Sequence, residues 1–371
     1  MKRLISLLAV ISLCVCLLAS CGGKKDDGEY VPADTTVSQP EDQTGSDEAD
    51  PEPPKDPDYT GVVNPITGLY NLTPDAAGKR FYTMMMGNSN EGIPQQGTSN
   101  ADMIFEMLVE GGITRFMAFY ADIDKVGDTV IGSCRSARTN FVSTAIGYDV
   151  IFGHYGGSES GYDMIKNNKV SDVDGLYYSQ PYFWRDAARK KNLGMEHSAM
   201  TSGTQMRALA KKKKYRMDMK NPDYTVFTFN RDGDITANGT TSAATKVNVK
   251  FSGYMTSAFN YNEESGTYLK LRNGKAHIDG NNNKQLEFKN LIVISDFHSY
   301  EADKLHLVVE QKSGTGYYFC DGKAVKIKWS KGKLSNPFKF TKEDGSDLLV
   351  TPGKTYVAVI RTKAPSELTF S

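Results

Sequence analysis

The sequence predicts an α+β fold, with an N-terminal α/β layered domain on a mixed sheet and a smaller, mainly β domain after it. Between residues 80 and 214 apolar, strand-like runs alternate with helical patterns, which is typical of layered α/β domains. From residue 224 onward, short alternating runs such as TVFTF and TKVNVKF dominate. The dipeptides Asn273-Gly274 and Asp321-Gly322 favour tight β-hairpins in this second part.

The first residues predict a targeting segment. Lys2 and Arg3 precede an apolar run at 4–18, which is too short for a spanning helix. The run leads into Leu-Ala-Ser-Cys, typical of a bacterial lipoprotein signal that is cleaved before Cys21. We expect Cys21 to carry acyl chains such as palmitate and to anchor the protein. The alternative is an ordinary signal peptide that happens to contain a cysteine.

An acidic stretch follows the targeting segment. Residues 22–58 contain 12 acidic and 3 basic residues, with too few apolar side chains to offset chain entropy, so we predict a disordered tether. The whole chain has 44 basic and 44 acidic residues, so the part after the tether is mildly basic. A basic body near a membrane suits anionic polymers or phospholipid, although scattered surface charge is an equally open interpretation.

These patterns divide the chain into four segments: a signal peptide at 1–20, an acidic tether at 21–60, the α/β domain at 61–218 and the mainly β domain at 219–371. After removal of the signal, Cys21, Cys134 and Cys320 remain, which is no disulfide framework. We expect two separate buried thiols at Cys134 and Cys320, with a bridge between them as the alternative. Five scattered histidines and the absence of a phosphate-loop motif predict no metal site and no cofactor.

The stretch at 101–138 combines the clearest core signal with many charges. Ser99 resembles a helix N-cap, and the helix predicted after it carries Asp102, Glu106 and Glu110 on one face. The nearly continuous apolar run at 113–120 predicts a strand that is buried on both faces. Further strands are predicted at 80–86, 129–132 and 149–154, and further helices at 137–146, after the N-cap Ser158, at 183–191 and at 204–214.

The chain resembles the YerB-like lipoproteins, a bacterial two-domain family. The matching motifs are NPITG at 64–68, ADMIFEMLVEGGITRF at 101–116, RSAR at 135–138, YDVIFGHYGGS at 148–158, FWRD at 183–186, GTYLKLRNGKAHID at 266–279 and PGKTYVAVI at 352–360. The resemblance implies a lipoprotein with an α/β domain and a β-rich domain, and it implies no activity. The chain departs from the family pattern at Ser133 and Cys134, where a proline and an aliphatic residue are usual, and at Ser198, where asparagine is usual.

Five residues form the predicted ligand-binding site. Arg135 and Arg138 follow one predicted strand and precede a helix, and His154 and Ser158 follow the next strand. Ligands of open α/β sheets bind beyond the carboxyl ends of the strands. Helix N-termini and arginine forks bind phosphate or carboxylate, so we predict an anion site. Arg115 joins this edge if its strand runs antiparallel to the others.

Glu106 and Glu110 are predicted to support these arginines. The open alternative is a purely structural network, in which Glu106 or Glu110 neutralises Arg115 or Arg135 and fastens the helix to the sheet, because a charge in a buried strand must be paired.

The predicted function is that of a lipoprotein on the extracytoplasmic face of the bacterial cell membrane. We expect it to bind an anionic envelope ligand, either a wall polymer or a lipid-linked precursor, or to scaffold envelope proteins. The alternative is a cell-wall-acting transferase or hydrolase with an arginine-lined pyrophosphate site, because the layout also resembles the LytR–CpsA–Psr family of wall-polymer transferases. The expected partners are the membrane, through Cys21, and an anionic wall polymer or an envelope protein. Nucleic acid is not expected for a lipid-anchored protein.

Overall fold

The structure, a computed structural model, describes residues 59–371. The predicted signal peptide, Cys21 and nearly all of the predicted tether lie outside the described residues. In the first half the strands are β1 (Tyr82–Gly87), β2 (Met103–Leu108), β3 (Thr114–Tyr120), β4 (Val130–Gly132), β5 (Ile151–His154), β6 (Asp172–Asp174), β7 (Trp184–Arg185) and β8 (Ala199–Ser202). The helices are α1 (Ile123–Val126), α2 (Thr139–Gly147), α3 (Glu159–Asn167), α4 (Ala187–Leu193) and α5 (Gly203–Lys212), with short 3₁₀ turns at Pro74–Ala76, Glu110–Gly112 and Met195–His197.

The second half consists of strands and one 3₁₀ turn, Ile235–Asn238. Its strands are β9 (Thr228–Phe229), β10 (Ser242–Ala243), β11 (Lys246–Lys250), β12 (Thr256–Asn262), β13 (Thr267–Arg272), β14 (Lys275–Ala276), β15 (Glu287–Phe288), β16 (Asn290–Asp296), β17 (His298–Tyr300), β18 (Leu307–Val309), β19 (Ser313–Cys320), β20 (Lys323–Ser330), β21 (Lys339–Thr341), β22 (Leu349–Val350), β23 (Thr355–Arg361) and β24 (Glu367–Phe370). The two predicted hairpins are confirmed, because β13 pairs with β14 and β19 pairs with β20 across them.

A mixed central sheet organises the molecule. Its strand order is β10-β20-β19-β16-β23-β2-β3-β1-β5-β6, with β21 beside β20. β2 and β23 run parallel, so strands from before and after residue 218 share one sheet, and the predicted division of the chain at that residue stays a prediction. The central strands are apolar on both faces because each face is covered by its own hydrophobic cluster.

A second sheet, of order β14-β13-β12-β11-β24 with β15 beside β13, packs on one face of the central sheet. β11 alternates exposed and buried residues, and β13 alternates half-buried and buried residues, as expected of strands with one face in the core. Val247 and Phe259 from this sheet share a cluster with Ile104 and Phe116 of the central sheet. The predicted α+β class, with a mainly β second half, is confirmed.

The helix predicted after Ser99 is wrong, because this segment forms the buried strand β2. Both faces of β2 are covered: Met103, Phe105 and Met107 enter one hydrophobic cluster, and Ile104 and Leu108 enter the other. A spacing of four residues places acids on one side of a strand as well as of a helix, so the spacing could not separate the two.

Two smaller corrections concern the helix ends. Ser99 is not an N-cap, because its hydroxyl donates to Asp279 Oδ2 at 2.9 Å. The helix predicted at 183–191 begins only at Ala187, with Asp186 as its N-cap, because Trp184 and Arg185 form β7. The remaining predicted strands and helices of the first half are confirmed within a few residues.

Two further observations concern membrane spans and thiols. No helix within residues 59–371 combines the length and the apolar composition needed to cross a bilayer. Cys134 and Cys320 are separate, buried thiols, as expected from the sequence.

Candidate anion-binding site

The central sheet brings the carboxyl ends of β1 and β5 to the same edge as the start of β3. β1 runs parallel to β5 and antiparallel to β3, with Gly87 opposite Arg115. β3 therefore runs antiparallel to β1 and β5, as required for Arg115 to join this edge. Arg115 lies at the edge of the sheet where β5 ends.

The segment after β4 holds the arginine pair in an extended conformation between two neighbours. On one side the amide of Arg135 donates to Met85 O at 2.8 Å, and on the other the amide of Tyr155 donates to Arg135 O at 2.9 Å. The amide of Ala137 donates to Gly156 O at 2.9 Å. Gly156 has a φ of 75°, a left-handed conformation that favours glycine, so this turn after β5 fixes the path of the arginine segment.

A cavity of about 390 Å³ lies at this edge of the sheet. Four arginines line it: Arg115, Arg135, Arg138 and Arg185. Two of them are ion-paired. Arg135 donates to the backbone and carboxylate of Glu196, at 2.7 and 3.1 Å, and Arg138 Nε donates to Glu110 Oε1 at 2.8 Å. Four arginines against two glutamates leave two positive charges.

Both glutamates at the cavity are held in the charged form. The hydrogen bond and the charge of Arg135 lower the pKa of Glu196. Burial raises the pKa of Glu110, but the hydrogen bond and the charge of Arg138, together with the charge of Arg115 and a backbone hydrogen bond, lower it by more. Neither carboxyl group is therefore a proton donor at neutral pH, and each serves to hold an arginine in place.

Arg115 forms the buried part of the cavity wall. Its side chain is only 5% exposed, Nη1 donates to Ser136 O at 2.6 Å, and Nε has no hydrogen-bond partner. Burial lowers the pKa of Arg115 to about 9, and the nearby charges of Arg138 and Arg135 contribute to this lowering. Among residues 59–371, no carboxylate lies within ion-pair distance of Arg115. Glu110 and Glu196 raise the pKa of Arg115 from beyond ion-pair distance, but burial and the neighbouring arginines outweigh them. A buried cation that is compensated only at a distance is electrostatically unfavourable, and a bound anion would relieve this.

Arg185 completes the cavity and was not predicted as a site residue. Its guanidinium stacks on the Tyr155 ring, 4.2 Å from the centroid, and donates to Met195 O. In the part of the chain that the structure describes, it has no carboxylate partner. β7 brings it here by pairing with β8. The FWRD motif contains Arg185. Because the motif was interpreted as part of a helix, the sequence did not place Arg185 at the cavity.

His154 and Ser158 belong to the scaffold and do not line the cavity. His154 is fully buried. Its Nδ1 donates to Gly156 O at 2.8 Å, and its Nε2 lies 3.4 Å from Asp172 Oδ2. Ser158 caps α3, accepting from the amide of Gly161 at 3.1 Å. Both residues therefore shape the turn beside the arginines, and we remove them from the proposed ligand contacts.

Glu106 does not pair with any of the arginines in the cavity. It lies opposite Phe116 in the β2–β3 ladder, so it points to the face opposite to Arg115. There its carboxylate accepts hydrogen bonds from Asn88 at 2.8 Å and Ser257 at 2.7 Å, and also from Thr114 and Tyr356. The proposed support of the arginines therefore comes from Glu110 and Glu196, and not from Glu106.

The described residues offer few groups for other chemistry at the cavity. Burial raises the pKa of the Cys134 thiol in the cavity wall, so it is not an activated nucleophile.

Away from the cavity, Glu301, Asp303 and His306 place possible metal-ligand atoms within 4.8 Å of one another. Two of these three side chains are already committed to one another, because His306 Nδ1 and Asp303 Oδ2 form a hydrogen bond.

A second, larger cavity of about 510 Å³ lies at the opposite end of β5, beside the C-terminus of α2. Its buried arginine, Arg80, is fully committed. It donates to Asp149 O at 2.7 Å, to Val150 O at 2.9 Å and to Ser171 Oγ at 3.0 Å. Because this cation has no free donor for a ligand, the smaller arginine cavity is the better candidate site.

Comparison with known proteins gives consistent matches. The DUF3048 N-terminal domain, of a protein of unknown function, matches residues 66–216, and the DUF3048 C-terminal domain matches residues 247–357. The chain is 26% identical over 306 residues to "Putative lipoprotein YerB" of Bacillus subtilis (strain 168), covering 80% of this chain and 85% of that protein. The crystal structure of the YerB protein from Bacillus subtilis matches with a TM-score of 0.70 at 24% identity, covering 83% of this chain and 99% of that chain. The structural match supports the fold described above.

Proposed function

The chain belongs to the DUF3048 family, and from this premise we propose that it is a lipid-anchored envelope protein that binds an anionic ligand in the arginine cavity. The name of the Bacillus subtilis relative, a lipoprotein, agrees with the signal pattern that ends in Cys21. The anchor is Cys21, and the protein lies on the extracytoplasmic face of the membrane. Its ligand is an anionic wall polymer or the anionic group of an envelope lipid.

The observation that carries this proposal is the pair of arginines in one cavity that form no direct ion pair with a carboxylate among the described residues. Arg115 and Arg185 both line the cavity, and neither has a carboxylate partner among the described residues. Arg135 and Arg138 are fixed by Glu196 and Glu110. Planar guanidinium groups bind phosphate and carboxylate through paired hydrogen bonds, so a phosphate-bearing ligand would satisfy the free donors.

The side chains at the cavity favour binding over catalysis. A hydrolase or transferase needs an acid, base or nucleophile that is free to act on a reacting atom. Glu110 and Glu196 each accept a hydrogen bond from an arginine, and the buried Cys134 thiol has a raised pKa. What remains at the cavity is a set of donors for an anion, which is what a binding site requires.

Inorganic pyrophosphate is a suitable probe, because it has the phosphate chemistry of the proposed ligand and no other recognition element. We expect the full chain, purified in detergent, to bind pyrophosphate in a calorimetric titration. Arg185→Gln removes one free guanidinium without breaking an ion pair. It should weaken binding by tenfold or more, since a hydrogen bond to a charged group contributes about 1.5 to 3 kcal/mol.

Arg207→Gln is the matched control, because Arg207 is ion-paired with Asp124 and does not line the arginine cavity. Both variants change the net charge of the chain equally. If pyrophosphate binds with the same affinity to both variants, the contribution of charge is nonspecific and the cavity is not the site. Absence of binding to the unmodified chain would contradict the proposal directly.

A further inference from the structure

The arginine cavity is bordered by apolar side chains that face solvent. Leu176 and Met195 line the cavity, and they are 55% and 51% exposed. Tyr177 is 72% exposed, and its ring packs edge-to-face with that of Tyr162, at a centroid distance of 5.9 Å. Large apolar side chains that cluster at a soluble surface usually mark a contact site.

Two further exposed tyrosines do not line the cavity but lie near the loop and the helix that adjoin it. Tyr254 is 75% exposed and lies over Gly112, two residues after the Glu110 that binds Arg138. Tyr300 is 55% exposed, and the next residue, Glu301, accepts a hydrogen bond from Ser160 Oγ at 2.8 Å near the N-terminus of α3. We call Leu176, Tyr177, Met195, Tyr254 and Tyr300 the apolar rim.

We propose that this end of the molecule rests on the bilayer, with the anionic headgroup of a phospholipid in the arginine cavity and the apolar rim in the interfacial layer. The inference rests on the proposed function and specifies its ligand. Tyrosine favours the membrane interface because its apolar ring can enter the interfacial layer while its hydroxyl stays hydrogen-bonded to water or headgroups. Arginines near an anionic surface add electrostatic attraction.

Charge and exposure together favour a lipid over a free polymer. A soluble anionic polymer would need the arginines alone, and it would leave the apolar rim in water. A phospholipid uses both features, since its phosphate lies beside the start of its apolar chains. The anchor permits this orientation, because the 37 residues between Cys21 and Tyr59 could extend over as much as about 130 Å.

The test measures which end of the folded molecule, that of the arginine cavity or that of the second cavity, contacts the bilayer. The full chain, carrying Tyr177→Cys in the apolar rim, is purified from membranes and labelled there with an environment-sensitive fluorophore. Labelling is selective because Cys134 and Cys320 are buried. It is then reconstituted into vesicles of phosphatidylcholine alone, or of equal parts phosphatidylcholine and phosphatidylglycerol. In both, a fixed fraction of the lipids has brominated chains that quench nearby fluorophores.

Lys220→Cys is the matched control, because the Lys220 side chain is 77% exposed and lies by the second cavity, at the opposite end of β5. We expect at least twofold quenching of the label at position 177 in vesicles with phosphatidylglycerol, weaker quenching in phosphatidylcholine alone, and none at position 220. Adding Arg185→Gln should weaken the quenching at position 177.

Equal quenching at positions 177 and 220, or none at position 177, would overturn the inference. The pyrophosphate titration of the same chain separates this failure from failure of the proposed function. If pyrophosphate binds in an Arg185-dependent manner while position 177 stays unquenched, the cavity binds a soluble anion, such as a wall polymer, and only the membrane contact is wrong. If neither signal appears, both proposals fail.

Discussion

Two clusters of charge start from the same pair of strands, β2 and β3, and lie on opposite faces of the sheet. On one face Glu106 is enclosed, with hydrogen bonds from Asn88, Ser257, Thr114 and Tyr356. On the other face Arg115 lines an open cavity and has a buried Nε without a partner. The Glu106 carboxylate therefore has its hydrogen-bond partners within the protein, whereas the Nε group of Arg115 has none.

The difference separates a structural network from a site. Lys270 Nζ donates to Ser257 Oγ at 2.7 Å, and Ser257 donates to Glu106, so the network couples opposite charges across two sheets. Fully satisfied networks of this kind fix the relative position of packed elements. A cluster that leaves charges unpaired destabilises the fold unless a ligand completes it. Loss of Glu106 should therefore destabilise the fold, whereas loss of Arg115, which has no direct ion pair, should not.

The largest effect is expected for Glu106→Ala. The change leaves several buried donors unpaired and removes the carboxylate nearest to the buried Lys270, so the free energy of unfolding should fall by about 3 to 5 kcal/mol. Urea unfolding, followed by tryptophan fluorescence, to which the buried Trp329 contributes, measures this loss. Glu110→Ala is the matched control, and its partly exposed pair with Arg138 should contribute only about 1 kcal/mol or less. Equal losses in both variants would contradict the contrast between the clusters.

A somewhat smaller effect is expected from the titration of Lys270. Burial lowers the pKa of Lys270 to about 8 from an ordinary value of 10.5. Between these pH values the folded chain binds fewer protons than the unfolded chain, so the free energy of unfolding rises with pH, by at most about 3 kcal/mol. Lys270→Met lacks this contribution. Urea unfolding at about pH 7 and pH 10 should show a smaller rise in the variant, and identical pH dependence would place the titrating group elsewhere.

The sequence predicted β1, β3 and β5 of the central sheet but not β2. In β2 the spacing of the acidic residues was interpreted as helical, although the segment is a buried strand. The continuous apolar run of β3 indicated a strand buried on both faces, and burial of all seven residues confirms this. β2 was mistaken for a helix because Asp102, Glu106 and Glu110 recur at a spacing that suits both structures. Only its burial between two hydrophobic clusters distinguishes the strand, and Glu106 interrupts the apolar run that would have indicated this burial, as the run of β3 does.

The candidate site was partly predictable for a related reason. Arg135 and Arg138 were predicted at the correct place, although the strand they follow, β4, lies outside the central sheet and pairs with β8. Backbone hydrogen bonds of Arg135 with Met85 and Tyr155 place this segment at the sheet edge. Arg185 reaches the cavity only through the long-range pairing of β7 with β8, which no local pattern reveals. His154 lies at the correct edge, but its ring packs on Phe152, with a centroid distance of 5.1 Å, and contributes to the scaffold.

The smallest effect, and the one with opposite sign, is expected for Arg115→Met. Methionine fills a similar volume with apolar atoms, and it removes a buried cation that has no carboxylate partner among residues 59–371. Replacing poorly compensated buried charge by apolar side chains is often neutral or stabilising, so the free energy of unfolding should rise by about 1 kcal/mol in the absence of ligand. Pyrophosphate affinity should fall in the same variant, because the cation that destabilises the unliganded fold is also a hydrogen-bond donor to the anion. A loss of stability comparable to that of Glu106→Ala would instead assign Arg115 to the structural framework and leave Arg185 as the main ligand contact.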